Sequence, residues 1–446
     1  MASTSSTSAP SIETATGSED YAEARVPASQ FQSTWDISLV RMGLTVSASD
    51  LVFGYTLGLY FGFVQGMLIS LLISIIVAAV SIGMGMIGLR ERITFALTTR
   101  FAFGRQGSRL PSLILAVVIA VFYGYIIGIT VSVFPGANVT GLQVFYCIIL
   151  GVIFTVISAL GFSRGMKWMG RIGVPLMIVL VVIADILTLI HVGGFAAIFN
   201  AEPKLAGQMT FAAILGAGVA KWMAGATISA DIMRFGRNKR AVYTSTLAEF
   251  VLGNFGFNLL GLILGLGLKS SDLGAAFGLI GLTGLATVAF FVQAVTVETN
   301  ELYAGSFAAA NAIGVSRRVS NIAIGIIGIA IGIIGLSFGI IPSFLAFIGY
   351  LGYVLPVIPG IILADYFIVH RMSYARSIGS ITAVNWRAVS ALVVTVAVNL
   401  VLGLVLGDAF WHVLPVLGGV IYLLFSIPQT TAAWRTKPSV AEAVVV

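Results

Sequence analysis

The stretch GAGVAKWMAGATISADIMRFGRN, residues 216–238, runs from an apolar segment into a basic one and carries a lysine inside its apolar part. Small and apolar residues surround Lys221 and its neighbour Trp222, as lipid or a dry protein interior requires. A charged side chain in such a segment is costly, so it needs either a partner or a function.

The whole chain has the composition of an integral membrane protein. Only 9% of its 446 residues are charged and 58% are hydrophobic, and its mean hydropathy is +1.04. A soluble globular chain carries about 25% charged residues, so this chain cannot cover a water-facing surface. Apolar runs of about 20 residues recur along it, which is the length of a spanning helix. Spanning helices satisfy their own backbone hydrogen bonds, so the predicted class is all-α membrane; a β-barrel would instead show alternating segments of about 10 residues.

The hydropathy pattern predicts twelve transmembrane helices. Their ranges are 38–63, 66–89, 111–134, 141–162, 169–194, 211–231, 242–267, 279–310, 320–339, 342–368, 388–406 and 410–428. Lysine and arginine cluster in alternate loops, whereas the opposite loops hold only Lys204 and Lys269. The positive-inside rule therefore predicts that both termini are cytoplasmic, in a multi-pass protein of the plasma (cell inner) membrane. This sorting accounts for the net charge of +7 without a nucleic-acid partner.

The rest of the domain organisation is simple. Residues 1–37 are predicted to be a disordered cytoplasmic tail, 38–430 the transmembrane domain in the lipid bilayer, and 431–446 a cytoplasmic C-terminal tail. The single cysteine, Cys147, excludes an intrachain disulfide and reads as a packed small hydrophobe. No cofactor motif is present, so we expect no cofactor.

Polar residues at mid-depth concentrate in three of the predicted spans. They are Ser47, Ser49 and Asp50 in the first span, Lys221 in the sixth, and Gln293, Thr296, Glu298, Thr299, Asn300 and Glu301 in the eighth. The first and sixth spans lie five helices apart, and each has a polar, small-residue interruption near its middle. This pattern is typical of transporters built from two inverted five-helix repeats, here helices 1–5 and 6–10, with helices 1 and 6 broken at the binding site.

Several of these features also have a purely structural interpretation. Serines in membrane helices often bond their own backbone, and the aromatic residues Phe122 and Trp222 are on their own compatible with packing. The structural candidates also include Asp365 and a solvated helix end at Asp231, Arg234 and Arg237. Asp185 and Glu249 could pair with each other or with the backbone. Asp50, Lys221 and Glu298 are harder to explain by packing, because they are three ionisable groups at mid-depth on different spans.

Four motifs make the chain resemble the nucleobase–cation symporters, with the cytosine permease branch closest. They are TRFAFGRQGSRLPSL at 99–113, ISADIMRFGRN at 228–238, TNELYAGSFAAAN at 299–311 and PGIILADYF at 359–367. The resemblance covers about residues 38 to 390. It implies two inverted five-helix repeats plus two extra helices, and uptake of a purine, pyrimidine or related heterocycle with a proton or a sodium ion. It implies a transporter and not an enzyme, and family members commonly act as monomers.

The resemblance also implies where the ligands bind. The base would lie between Phe122 and Trp222, since a planar ring gains stacking energy on two aromatic faces. Polar groups at the ring edge would select the base; the candidates are Ser49, Asp50, Lys221, Glu298 and Asn300. The cation would be coupled through helix 1 near Gly43, Val46 and Ser47 and through Gln293, Thr296 and Glu298 on helix 8. A sodium ion, if one is used, would bind at Gly43, Val46, Gln293 and Thr296.

This chain departs from the family pattern by adding charge. Val297 stands where the cytosine permeases have a second threonine, and Glu298, Lys221 and Asp50 replace neutral residues. We therefore expect Lys221 to pair with Asp50 or Glu298 beside the substrate, either replacing the electrostatic role of sodium or contacting an acidic or carbonyl-rich ring. Proton coupling is slightly preferred. The alternatives are an amino-acid or amine permease of the same fold, with Asp50 binding the amine, and a passive channel, which would line a continuous polar path.

Overall fold

The computed structural model describes residues 21, 24–134, 140–160, 167–270, 273–338, 347–374, 381–406 and 414–435. The side chains of 167–171, 296, 406, 414–415 and 428–435 lie outside this description. Within the described ranges the chain is helical, and its only β-type pairing is an isolated bridge between Gln32 and Gly236. The all-α class is therefore as predicted.

The helices follow the predicted hydropathy pattern. In chain order they are α1 Thr34–Thr45, α2 Ala48–Tyr60, α3 Phe63–Glu91, α4 Phe95–Phe103, α5 Arg109–Ser132, α6 Thr140–Ala159, α7 Lys167–Val192, α8 Phe195–Phe199, α9 Phe211–Thr227, α10 Ser229–Met233, α11 Lys239–Leu268, α12 Leu273–Leu279, α13 Thr283–Ile313, α14 Arg317–Phe338, α15 Val357–Val369, α16 Trp386–Leu406 and α17 Leu414–Arg435. Every predicted span overlaps one of them. Among the described residues, eight helices are long and apolar enough to cross a membrane, or nine if α1 and α2 form one span. The total of twelve stays a prediction.

The first span is broken where the sequence predicts it. α1 and α2 meet at an angle of 48°. Val46 leaves the helical conformation with ψ of 69°, and Ser47 is extended. The Ser47 hydroxyl then accepts a hydrogen bond from the Asp50 backbone N–H and so caps α2. The break therefore directs the N-terminus of a helix and its orphan N–H groups into the protein interior.

The sixth span differs from the prediction. α9 continues without interruption through Lys221 and Trp222 to Thr227, and the helical pattern changes only at Ile228. The small residues in this segment serve close packing instead of unwinding. A β-carbon on Gly218 would collide with the side chain of Ile73, so the glycine lets α9 approach α3.

Glycines also set the distance between α2 and α11. A β-carbon on Gly54 would collide with the backbone of Asn258, and one on Gly261 would collide with the carbonyl of Leu51. Small residues at such positions allow membrane helices to approach closely. Within α11, residues Ala248–Phe255 adopt a π-helix. This contact brings the π-helical turn against the break in the first span.

The N-terminal tail is shorter than predicted. α1 begins at Thr34 instead of 38, and Ala24 and Val26 ahead of it are buried. Val26 donates its backbone N–H to the carbonyl of Arg92, and Gln32 does the same to Phe235. This stretch therefore packs on the ends of α3 and α10. Residues 1–20 and 436–446, which include most of both predicted tails, lie outside the described residues.

Candidate functional site

Asp50 is the centre of a buried polar cluster at the break in the first span. Its Oδ1 accepts hydrogen bonds from the Lys221 ammonium at 2.7 Å, the Trp222 indole N–H at 2.8 Å and the Asn254 amide at 2.9 Å. Its Oδ2 accepts one from the Ser47 hydroxyl at 2.7 Å. Four donors from α9, α11 and the break thus converge on one carboxylate, which compensates the cost of burying it.

Lys221 is paired with Asp50 and not with Glu298. The lysine side chain is 2% exposed and that of Asp50 is fully buried. The ammonium also lies 5.3 Å from the centre of the Phe53 ring and 5.1 Å from that of Trp222, distances at which a cation is attracted to an aromatic face. The lysine in the apolar segment is therefore one half of a desolvated ion pair.

Sequence analysis missed Asn254. It lies in the π-helical turn of α11, and π-turns inside helices often occur at functional sites. Besides donating to Asp50, its side-chain oxygen accepts from Ser74 at 2.8 Å and from Asn258 at 3.2 Å. The signal was available, because an asparagine within an apolar span is as unusual as the serines of the first span.

The two predicted stacking residues are both buried. The Trp222 indole N–H is held by Asp50, and its ring meets Phe250 edge-on at 6.1 Å. Phe122 is 5% exposed and meets Phe347 edge-on at 5.9 Å, while Tyr125 stacks on Phe347. The roles of Phe122 and Trp222 around a substrate ring stay predictions.

The predicted cation-coupling residues converge in part. Gly43 and Val46 are buried at the C-terminal end of α1. Gln293 of α13 accepts the Ala48 backbone N–H through Oε1 at 3.1 Å, so it reaches the same break. The side chain of Thr296 lies outside the described residues. A sodium site here therefore stays a prediction.

The acidic residues of α13 contrast with Asp50. Glu298 is fully buried, and neither of its carboxyl oxygens has a hydrogen-bond partner among the described residues. Glu301, one turn further on, lies within electrostatic range of Lys221 and leaves Oε2 without such a partner. Asn300 on the same helix is 2% exposed. At the start of α2, the Ser49 hydroxyl lies 2.9 Å from that of Ser47.

A second buried ion pair was not predicted. Arg41 of α1 is fully buried and donates to Glu249 of α11 through Nε at 2.8 Å and also through Nη2. The same Nη2 donates to Ser81 at 2.5 Å. Glu249 therefore pairs with Arg41 and not with Asp185, whose carboxyl oxygens have no hydrogen-bond partner in the part of the chain that the structure describes. Arg41 was overlooked although it lies inside the predicted first span.

The helix end after α9 is not solvated as predicted. Asp231 and Arg234 are both buried, whereas Arg237 is exposed as expected. Asp231 accepts the Phe95 backbone N–H at 3.0 Å, and Arg234 donates to the Tyr303 hydroxyl at 3.0 Å. The predicted helix surface is therefore a packed junction between α4, α10 and α13.

The sequence matches a family of known function. A family model described as a permease for cytosine/purines, uracil, thiamine and allantoin matches residues 26–425. The cytosine permeases of Escherichia coli K12 and Escherichia coli O157:H7 are each 27% identical to this chain over 422 residues. The match covers 93% of this chain and 96% of each relative.

Solved transporter structures share the fold. MHP1, a nucleobase-cation-symport-1 family transporter in a closed conformation with bromovinylhydantoin bound, has a TM-score of 0.76 at 16% identity and covers 97% of this chain and 99% of its own. The inward-facing conformation of Mhp1 has a TM-score of 0.74 at 15% identity, covering 94% and 95%. A Na+-coupled sialic acid symporter has a TM-score of 0.63 at 14% identity, covering 93% and 91%. The likeness confirms the predicted inverted-repeat transporter fold, and at these identities it shows the fold alone.

Proposed function

Because the chain belongs to the family of permeases for cytosine, purines, uracil, thiamine and allantoin, we propose that it imports a nucleobase-like heterocycle by proton symport. Family membership makes it a multi-pass membrane transporter and not an enzyme. The proton, the inward direction, the plasma membrane and the monomeric state are parts of the proposal. The observation that supports the proton is the buried Lys221–Asp50 ion pair.

The ion pair lies at the helix break that the family resemblance assigns to sodium. Gln293 also reaches this break, through its contact with the Ala48 N–H. The ammonium of Lys221 supplies the positive charge that a sodium ion would otherwise bring, and the Val297 side chain offers no oxygen to a metal. These features favour a coupling ion other than sodium.

Glu298 is the carboxyl group that we propose to take up the coupling proton. It is fully buried, and its two oxygens have no hydrogen-bond donor among the described residues. An uncompensated carboxylate in such surroundings costs several kcal/mol, so a proton is its simplest counter-charge. Asp50 is the less suitable proton carrier, because four donors already stabilise its charged form.

The substrate ring would lie between Phe122 and Trp222. The hydrogen bond from the Trp222 indole to Asp50 fixes the plane of that ring, and a fixed aromatic face is what a planar heterocycle stacks on. Asn300 and Ser49 would meet the edge of the base. Which base is selected depends on these edge contacts.

The geometry argues against the amine permease. Oδ1 of Asp50 already accepts hydrogen bonds from Lys221, Trp222 and Asn254. A substrate amine would have to displace the lysine ammonium, which carries the same charge and is covalently held in place. A neutral heterocycle avoids this competition.

Competitive uptake tests the proposed function. Cells lacking their own nucleobase carriers would express the protein and be given cytosine, uracil, hypoxanthine, uric acid, allantoin and a hydantoin, with and without sodium and with an uncoupler. Proton symport predicts saturable uptake of at least one ring that persists without sodium and collapses with the uncoupler. Uptake that requires sodium would contradict the proton as the coupling ion. Uptake that survives the uncoupler without sodium would indicate a channel. If no ring competes and amines do, the substrate class is wrong.

A further inference from the structure

A separate cavity opens where α4, the start of α5, the end of α13 and the start of α14 meet. Its volume is about 470 Å³, within the range of small-molecule sites. Its lining includes four arginines, Arg100, Arg105, Arg109 and Arg317, and no described aspartate or glutamate. The wall is therefore strongly cationic, in a protein with few charges.

The burial of Arg317 shows that the positive charge of this wall does not simply belong to a solvated loop. The residue is 6% exposed, and its Nε and Nη1 are buried without a hydrogen-bond partner among the described residues. Its Nη2 donates a long bond of 3.4 Å to the carbonyl of Ala159, and its guanidinium lies against Tyr303 and Phe307. Arginine stays charged in proteins, and a buried charge without a counter-charge is costly. An arginine that only set the orientation of the protein in the membrane would face water. Its charge and its N–H groups would then be hydrated.

Another part of the wall is held in place by a hydrogen-bonded frame. Arg100 donates through Nε to the Asn311 side-chain oxygen at 2.6 Å. The Asn311 amide in turn donates to the hydroxyls of Ser112 at 2.9 Å and Ser108 at 3.2 Å. Asn311 is 7% exposed, so the guanidinium of Arg100 is anchored at the wall by a buried residue.

Two helices begin in the lining. α5 starts at Arg109 after Ser108, which makes no side-chain cap, and α14 starts at Arg317. Most of their first N–H groups are already used, because those of Arg109 and Leu110 donate to the carbonyls of Gln106 and Gly107 and that of Val319 donates to the Ser316 hydroxyl at 3.4 Å. The positive ends of the two helix dipoles still add to the attraction for an anion. The last turn of α13 also borders the cavity, but the Gly314 N–H already satisfies the Ala310 carbonyl there.

We infer that this cavity binds a phosphate-bearing anion, at a site distinct from the transport site. Arginine guanidinium groups match the oxygens of a phosphate, and the positive ends of the two helix dipoles strengthen the attraction. A neutral nucleobase would leave the buried guanidinium of Arg317 without a counter-charge, so the transported ring is not the occupant. The phosphate could belong to the headgroup of an anionic lipid or to a free phosphate compound, which share this chemistry.

Binding measurements on the purified full-length protein separate these sources. In one arm, inorganic phosphate is titrated against the protein in detergent and the melting temperature is followed. In the other, the protein is placed in phosphatidylcholine nanodiscs containing increasing phosphatidylglycerol, and bound phosphatidylglycerol is counted by native mass spectrometry. The variants are R317Q, the double variant R105Q/R109Q, whose two side chains are exposed and should not affect folding, and the control R318Q, an exposed neighbour outside the lining.

A built phosphate site predicts saturable binding in at least one arm. R317Q and R105Q/R109Q should each weaken it by about tenfold, the loss expected for one or more charge-assisted hydrogen bonds, while R318Q binds like the wild type. Saturation by inorganic phosphate identifies a free compound, and saturation by phosphatidylglycerol alone identifies a lipid. The site does not exist if neither probe saturates on the wild type, or if R105Q/R109Q and R318Q bind equally well.

Discussion

Two buried ion pairs join the first span to the second half of the molecule, and they differ in how firmly they are held. Arg41 and Glu249 connect α1 to α11 through two donors on one guanidinium, supported by Ser81. Lys221 and Asp50 connect α9 to the start of α2 through a single ammonium contact of 2.7 Å.

This difference indicates that the Arg41–Glu249 pair is a rigid structural contact, whereas the Lys221–Asp50 pair is a candidate for opening during transport. A guanidinium is planar and holds a carboxylate in a fixed geometry, whereas an ammonium is a compact point charge on a flexible stem. Arg41 also lies within a continuous helix, while Asp50 follows the break at Val46 and Ser47. If Lys221 moves away, the hydrogen bonds of Asp50 to Ser47, Trp222 and Asn254 can remain. We therefore expect the first pair to govern stability and the second to govern transport.

Removing Arg41 should have the largest effect on stability. Arg41→Met leaves the Glu249 carboxylate buried without its partner, which is expected to cost about 3–5 kcal/mol. The melting temperature of the purified protein should fall strongly, and the double variant R41M/E249M, which removes both charges, should recover much of the loss. A melting temperature of R41M equal to that of the wild type would show that the Arg41–Glu249 pair does not stabilise the fold.

Removing Lys221 should affect transport more than stability. In Lys221→Ser the Asp50 carboxylate keeps three donors, so the melting temperature should fall less than in R41M. Sodium-free uptake should fall by about 100-fold, equivalent to about 2.7 kcal/mol of lost stabilisation, and its pH profile should change. The control is Lys239→Ser, which removes an exposed lysine at the start of α11. Unchanged uptake with an unchanged pH profile would exclude Lys221 from the mechanism.

Neutralising Glu298 should uncouple transport while substrate still binds. Glu298→Gln preserves size but cannot exchange a proton, so uptake against a gradient should fall by about tenfold, a typical magnitude for a coupling free energy. Exchange of labelled for unlabelled substrate at equal concentrations should persist. Asp185→Asn is the matched control, because Asp185 is also a buried carboxyl without a hydrogen-bond partner among the described residues. Equal losses in E298Q and D185N would deny Glu298 a specific role.

The smallest effect is expected at Asn254. Asn254→Ala removes one of four donors to Asp50, a loss of about 1 kcal/mol that corresponds to about fivefold in KM. The comparison variant Asn321→Ala changes a buried asparagine that bonds Ser158 and the carbonyl of Thr155, away from the site. If both variants alter KM alike, Asn254 acts through general packing and not through Asp50.

Sequence reasoning reached the residues whose chemistry is unusual for their surroundings. A lysine and an aspartate inside apolar spans each demand a partner, so Asp50 and Lys221 could be predicted to matter. The polar, small-residue stretch around Ser47 located the break in the first span. The partner itself could not be chosen between Asp50 and Glu298, because that depends on which side chains α9 directs toward α2.

The remaining errors concern features that tertiary packing decides. Arg234 resembles a solvated helix end in the sequence, but it is buried because Tyr303 and the N-terminal segment cover it. Gly218 resembles a point of unwinding, yet it provides room for Ile73. Neither outcome follows from the local sequence, since each depends on a residue more than sixty positions away.

The most direct test of proton symport is substrate-driven proton flux in liposomes. The wild-type protein would be reconstituted with a pH-sensitive dye inside the vesicles, and the best substrate from the uptake panel would be added outside in sodium-free buffer. Proton symport predicts immediate acidification of the vesicle interior, which E298Q abolishes and D185N preserves. Substrate entry without acidification, together with entry of labelled sodium when sodium is supplied, would contradict it.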